Sequence, residues 1–96
     1  MSTWLHGATE LLDRYLEGAL PVGEFCKQFE QMWNFERTAP LAPEVERLMS
    51  DLFDIIGWYT PIEQDRRRVG SFRDESDVLK AARQTRAALR ETVPDM

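Results

Sequence analysis

Apolar residues recur every three or four positions along almost the whole chain, and prolines with a few glycines cut that rhythm into four blocks. A period near 3.6 places such residues on one side of an α-helix, whereas a half-buried strand would need them to alternate. No alternating stretch of useful length occurs, nor any internal repeat or low-complexity segment. The pattern therefore constrains the chain to an all-α fold.

The first block, Leu5, Ala8, Leu11, Leu12, Tyr15 and Leu16, predicts a helix over about 3–18, with Ser2 or Thr3 as N-cap and Gly18 as the stop. Val22, Phe25, Cys26, Phe29, Met32 and Trp33 predict a second over about 22–37, with Glu24, Lys27, Glu30 and Gln31 on its wet side. Pro40 and Pro43 bracket a connection, and because proline suits a first helical turn but not an interior, the third helix should begin near Pro43 and run to about 59. Glu44 and Glu46 complement its dipole. Its apolar set is the longest: Val45, Leu48, Met49, Leu52, Phe53, Ile56 and Tyr59, joined by Ile55, which predicts the most buried helix.

Pro61 ends that helix by pushing Thr60 out of the α region. Residues 60–73 show no sustained periodicity and read as an ordered loop carrying Arg66-Arg67-Arg68. Asp74 or Ser76 caps a fourth helix over about 75–92, with Val78, Leu79, Ala82, Thr85 and Leu89 inward and Arg83, Arg86 and Arg90 late. Residues 93–96 read as a frayed tail. Four helices on short connections predict an antiparallel up-down four-helix bundle, a single domain over 1–96.

A chain of 96 residues can bury a modest core without staples, and no apolar run approaches the ~20 residues a membrane span needs. Cys26 alone forms no internal disulfide, and the opening Met1-Ser2-Thr3-Trp4 offers neither the basic start nor the apolar stretch of a secretory signal. A cytoplasmic setting without membrane contact is the expectation. The formal net charge of −5 is unevenly spread: residues 1–65 hold 12 acidic and 4 basic side chains, net −8, and residues 66–96 hold 5 and 8, net +3. An acidic surface disfavours nucleic acid and anionic lipid and favours a basic partner, although the same carboxylates also keep a small domain dissolved.

Catalytic and metal chemistry find little support. His6 is the only histidine, at the start of the first helix with no partner arrangement around it, and it reads as a surface position. Zinc or copper sites want several His or Cys, and a carboxylate-bridged di-iron bundle wants Glu-x-x-His motifs that are missing here. The five glycines never cluster into a phosphate-binding loop, and Cys26 sits on an apolar face as a small hydrophobe. Neither an enzyme nor a cofactor is expected, and no catalytic or metal-ligating residue is assigned.

The most distinctive stretch is 51–65, where aromatic and acidic residues alternate around a helix end. Tyr59 continues the apolar stripe and reads as core; Trp58, one step around, could equally pack beneath the loop or present a contact surface. Asp51 and Asp54 near a helix C-terminus oppose its dipole, a local cost that hints at a purpose.

From this stretch outward the chain resembles the colicin D immunity protein family, which includes immunity proteins of contact-dependent growth inhibition. The resemblance spans roughly residues 8–90 and rests on Gly23-Glu24-Phe25 leading to Phe29, on Leu52-Phe53, on Tyr59 and Pro61, on Glu63 with Asp65-Arg66, and on Asp74-Glu75-Ser76-Asp77 before Leu79-Lys80. It implies a compact four-helix bundle that neutralises a basic, tRNA-cleaving nuclease toxin by offering carboxylates to the cleft that would hold the RNA backbone. Members often carry acidic residues two and four positions after the Leu-Phe pair; here Ile55 and Gly57 stand there, and Asp54 keeps a charge nearby. The implied toxin-binding set is Asp54, Glu63, Asp65, Asp74, Glu75 and Asp77, with Trp58 and Tyr59 as anchors, and no direct nucleic-acid contact. Arg66-Arg67-Arg68 reads as a solvated loop that pairs with neighbouring carboxylates, or as a contact for acidic toxin residues or for a tRNA held in a ternary complex. A helical adaptor or subunit binding a basic non-toxin protein would use the same features.

Overall fold

The structure, a computed structural model, describes residues 3–37, 40–68, 70 and 72–93, with the side chains of Glu63, Asp65 and Arg66 outside the described set. Four long helices, α1 (Thr3–Leu16), α2 (Val22–Phe35), α3 (Pro43–Gly57) and α5 (Glu75–Thr92), are joined by a six-residue α4 (Glu63–Arg68) in the last connection. The all-α four-helix architecture expected from the periodicity is what is observed. α1 packs on α2 and α5, and α3 on the same two, so the four close into a ring around one core.

Local chemistry explains most of the boundaries. Gly18, at a φ of 82°, takes the left-handed conformation that an L-residue adopts only at a cost. The Gly18 amide donates to Tyr15 O at 3.0 Å and the Ala19 amide to Arg14 O at 3.0 Å, the two bonds of a Schellman stop. That motif closes α1 at Leu16, two residues before the expected end. Pro43 occupies the first turn of α3, as expected, and needs no side-chain cap. At the start of α5 the Asp77 amide donates to Asp74 Oδ1 at 3.0 Å while the Asp74 amide donates to Asp77 Oδ2 at 3.1 Å. This reciprocal capping box selects Asp74 over Ser76 as the cap. Ser2, the alternative cap for α1, and residues 94–96 of the expected tail lie outside the described residues.

Three further expectations are corrected. α2 ends at Phe35 rather than 37, because Glu36 already leaves the helix as its C-cap. α3 ends at Gly57 rather than 59, because the backbone of residues 58–60 turns away to pair with Arg73. The segment 60–73 is no continuous loop: residues 63–68 form α4, too short for the apolar periodicity by which a helix is recognised in sequence.

The core follows the apolar spacing, but the expectation that the third helix is the most buried is corrected: α1 buries seven residues and α3 four, because Leu48, Phe53 and Ile55 of the wide α3 stripe are only partly covered. Phe25, Phe29, Leu12, Met49, Leu52, Ile56, Leu89 and Val78 are the largest fully buried side chains, drawn from all four long helices. Aromatic contacts stitch α1 to α2: Tyr15 stacks on Phe25 with centroids 4.3 Å apart, and Trp4 meets Phe29 edge-on at 6.4 Å and Trp33 at 5.9 Å. Trp4 also donates its indole N–H to Met32 O at 2.8 Å, satisfying the one polar atom of a buried ring. Gly7 lets the helices approach here, since a Cβ on it would meet Met32 Cε at 3.3 Å. Trp33 continues to Phe53 of α3 at 5.6 Å, and the Arg37 guanidinium caps that stack 4.2 Å above the Trp33 ring while pairing with Glu46 at 2.9 Å.

Among the described residues no helix is long and apolar enough to cross a membrane. Cys26 is buried, and burial pushes its thiol up to about 12. It is the small hydrophobe its position on α2 predicts.

Candidate functional site

The residues singled out at the end of α3 and the start of α5 are brought together by a short backbone pairing. The Arg73 amide donates to Trp58 O at 2.7 Å, and the Thr60 amide donates to Arg73 O at 3.0 Å, forming a parallel bridge between Tyr59 and Arg73. This clamp sends α3 out of its helical path at Trp58 and delivers the chain into the cap of α5. The two segments that the sequence separates by more than a dozen residues thus form one end of the molecule.

Trp58 is 46% exposed, which resolves its two sequence readings in favour of an outward position. It is held rather than free: Phe72 lies edge-on at 5.4 Å, and the backbone on its C-terminal side is fixed by the Arg73 clamp. A large indole held in one pose at the surface loses little conformational freedom on meeting a partner. Tyr59, by contrast, is half-buried and packs against the core, in accord with its place on the apolar stripe. Ile62, 53% exposed, adds a second outward apolar side chain a few residues on.

The acidic residues divide into three groups. Asp54 is exposed on α3 and lines a groove between α3 and α5, across from Asp77. Tyr59, Asp74 and Glu75 line a smaller cleft beside it, together with Thr60, Pro61 and Ser76. Asp74 and Asp77 each spend one carboxylate oxygen on the capping box, so their charges are positioned by backbone amides and also favour the positive end of the α5 dipole. Glu63 and Asp65 lie in α4, but their side chains are outside the described residues. Six of the eight candidate residues, Asp54, Trp58, Tyr59, Asp74, Glu75 and Asp77, are therefore placed around one end of the α3–α5 pair.

Beneath this end lies a polar atom that sequence patterns did not suggest. Tyr15 is buried with its hydroxyl lacking a hydrogen-bond partner among the described residues. Burial, and then the nearby Glu75 carboxylate, push that phenol up to about 12, with Cys26 and Tyr59 acting in the same direction. The phenol is therefore neutral at physiological pH. Phe72 and Arg73, which shape the site through a ring edge and two backbone bonds, were also missed, because neither belongs to a periodic block.

Of the arginine run, Arg67 and Arg68 are exposed in α4 and the side chain of Arg66 is outside the described set. His6 is exposed on α1, far in sequence from these groups. Among the described residues no group of three or more His, Cys, Asp or Glu is arranged to hold a metal ion. Comparison of the chain with protein-family models, with curated proteins and with solved structures gave no significant match.

Proposed function

We propose that this chain is an immunity-type inhibitor that binds a basic nuclease toxin domain, a tRNA-cleaving ribonuclease, and covers the cleft in which the toxin holds RNA. The observation that carries the reading is the half-exposed Trp58, fixed by Phe72 and the Arg73 clamp beside outward carboxylates. A protein evolved to grip a polyanion presents Lys, Arg and His, and a preformed acidic end needs no reorganisation to face them. Long-range attraction to the acidic body, net −8 over residues 1–65, raises the encounter rate. Desolvation of one aromatic anchor sets the residence time.

The mechanism asks no chemistry of this chain. Asp54 and Glu75 offer exposed carboxylates, Asp74 and Asp77 offer carboxylates already oriented by the α5 cap, and Trp58 supplies the apolar contact. Occlusion of the cleft then excludes the RNA backbone. The short motifs shared with colicin D immunity proteins support the same reading and its cytoplasmic setting, where a tRNA-cleaving toxin would act.

An immunity gene should lie beside that of its toxin, and the test is co-expression with the C-terminal domain of that toxin. Cells should survive and the two proteins should co-purify; death of the cells without a co-purifying complex rejects the proposal.

A further inference from the structure

The groove between α3 and α5 extends well past the Trp58 end of the molecule. Its α5 wall runs from Asp77 to Ala88, about three helical turns or about 16 Å, and its α3 wall from Leu48 to Ile55. The floor is apolar and only partly covered, with Leu48 and Ile55 from α3 and Ala81 and Ala88 from α5. Ala81 and Ala88 lie about two turns apart on one face of α5, and neither side chain is long enough to hold a neighbouring helix away. The two walls form the kind of seat in which a further helix buries an apolar stripe.

The rims decide which helix fits. Asp54 and Asp77 stand on opposite sides of the groove at the end nearest the Tyr59–Arg73 bridge, and Asp51 precedes Asp54 by one turn of α3. Among the described residues none of the three is paired with a cation. Asp77 uses Oδ2 in the α5 cap, which leaves Oδ1 to a partner. A cation seated between Asp54 and Asp77 is attracted by both. A second copy of this chain would instead set Asp54 against Asp77, and phosphate backbones or anionic lipid would meet the same three carboxylates. Arg73 and Lys80, both exposed on the α5 side, fix the orientation: the occupant turns its basic row toward α3 and an uncharged or acidic edge toward Lys80.

We propose that the groove seats an amphipathic helix of the basic partner, about three turns long, with a Lys or Arg between Asp54 and Asp77, a second cation one turn further along beside Asp51, and apolar side chains over Ile55, Ala81 and Ala88. The partner's identity rests on the inhibitor reading; the helix and its charge pattern rest on the groove. Asp54 belongs both to the groove and to the Trp58 end, so one partner engages the two together.

Two variants one position apart on α5 test the seat. Ala88→Arg fills the end of the groove about 16 Å from Asp77, whereas Ala87→Arg puts the same side chain and charge on an exposed position that does not line it. Calorimetric titration with the nuclease domain of the toxin that the inhibitor reading places beside this gene should show binding weakened at least about tenfold by Ala88→Arg and less than about twofold by Ala87→Arg. Asp51→Lys, exposed and outside the Trp58 end, should also weaken it about tenfold. Circular dichroism checks that each variant keeps its helices; if Ala88→Arg does not, Gln84→Arg, exposed and one turn nearer the middle of the groove, takes its place. Equal affinities for the folded groove variant and Ala87→Arg overturn the helix seat and leave the inhibitor reading standing. An Asp51→Lys variant that binds as the original chain does overturns the charge pattern. Absence of binding by the original chain overturns the inhibitor reading, and with it the assignment of the groove to that partner.

Discussion

Arg86 of α5 and Asp13 of α1, 73 residues apart in sequence, meet at 2.7 Å through Arg86 Nε and Asp13 Oδ1, with Arg86 Nη2 reaching Asp13 Oδ2 at 3.4 Å. The pair is asymmetric: the Arg86 side chain is 11% exposed and the Asp13 side chain 38%. Arg86 Nη1 is buried without a partner among the described residues. The cation, not the anion, is the group that depends on the pair.

That asymmetry makes a prediction about stability. Asp13→Ala strands a buried guanidinium and should cost about 3 kcal/mol in urea unfolding. Arg86→Met keeps most of the volume, removes the unpaired Nη1 and leaves Asp13 free to reach water, so it should cost under about 1 kcal/mol. The reverse order would mean that Asp13 is the group held at a cost.

The two roles of Asp74 can be separated. Asp74→Ala removes the cap of α5 and should lower stability by about 1 kcal/mol, whereas Asp74→Asn keeps an acceptor for the Asp77 amide and should stay within about 0.3 kcal/mol of the original. If the carboxylate meets a cation on the partner, the Asn variant should still lose toxin affinity, by about threefold to tenfold, when titrated by calorimetry. Equal affinity in a fully stable Asn variant would confine Asp74 to the cap.

Alkaline pH should destabilise the fold. Tyr15 and Cys26 are each pushed up to about 12, from ordinary values of 10.0 and 9.0. A raised folded-state value means that the unfolded chain loses its proton first, so the contribution is complete below about pH 9 and is lost as pH rises toward 12. Each group steepens the fall by up to about 1.4 kcal/mol per pH unit within its window. Urea unfolding of Cys26→Ala and Tyr15→Phe across pH 8–12 should show a shallower fall in each, whatever the change at neutral pH. At pH 7, Tyr15→Phe should be neutral to slightly stabilising, because it deletes a buried hydroxyl that has no described partner.

Much of this architecture is legible in the chain itself. Phe25 and Phe29, Met49 and Ile56, Val78 and Leu89 lie where a 3.6-residue period puts them, and Gly18, Pro43 and Asp74 mark ends through effects local to each residue. What escaped was set by contacts between distant segments. Arg86 reads only as one of three basic residues late in the last helix, and its burial is made tolerable by Asp13 on α1. Trp4 precedes the first apolar repeat and is buried because Met32 O accepts its indole proton. α4 holds six residues without an apolar period, and the outward pose of Trp58 depends on Phe72 and Arg73 in a connection with no pattern of its own. The acidic and aromatic residues of the site were readable as a composition; their convergence required the bridge between Tyr59 and Arg73.

The central proposal is that Trp58 anchors a basic toxin domain, and one measurement addresses it: calorimetric titration of the chain, and of Trp58→Ala, with the nuclease domain of the toxin that the proposal places beside this gene. Trp58 is half-exposed, so the substitution should leave the helical melting transition nearly unchanged. The account predicts saturable binding by the original chain and a dissociation constant at least about tenfold higher for the variant, a loss of about 1.4 kcal/mol or more. Absence of binding by the original chain, or an unchanged constant for a folded Trp58→Ala variant, would contradict it.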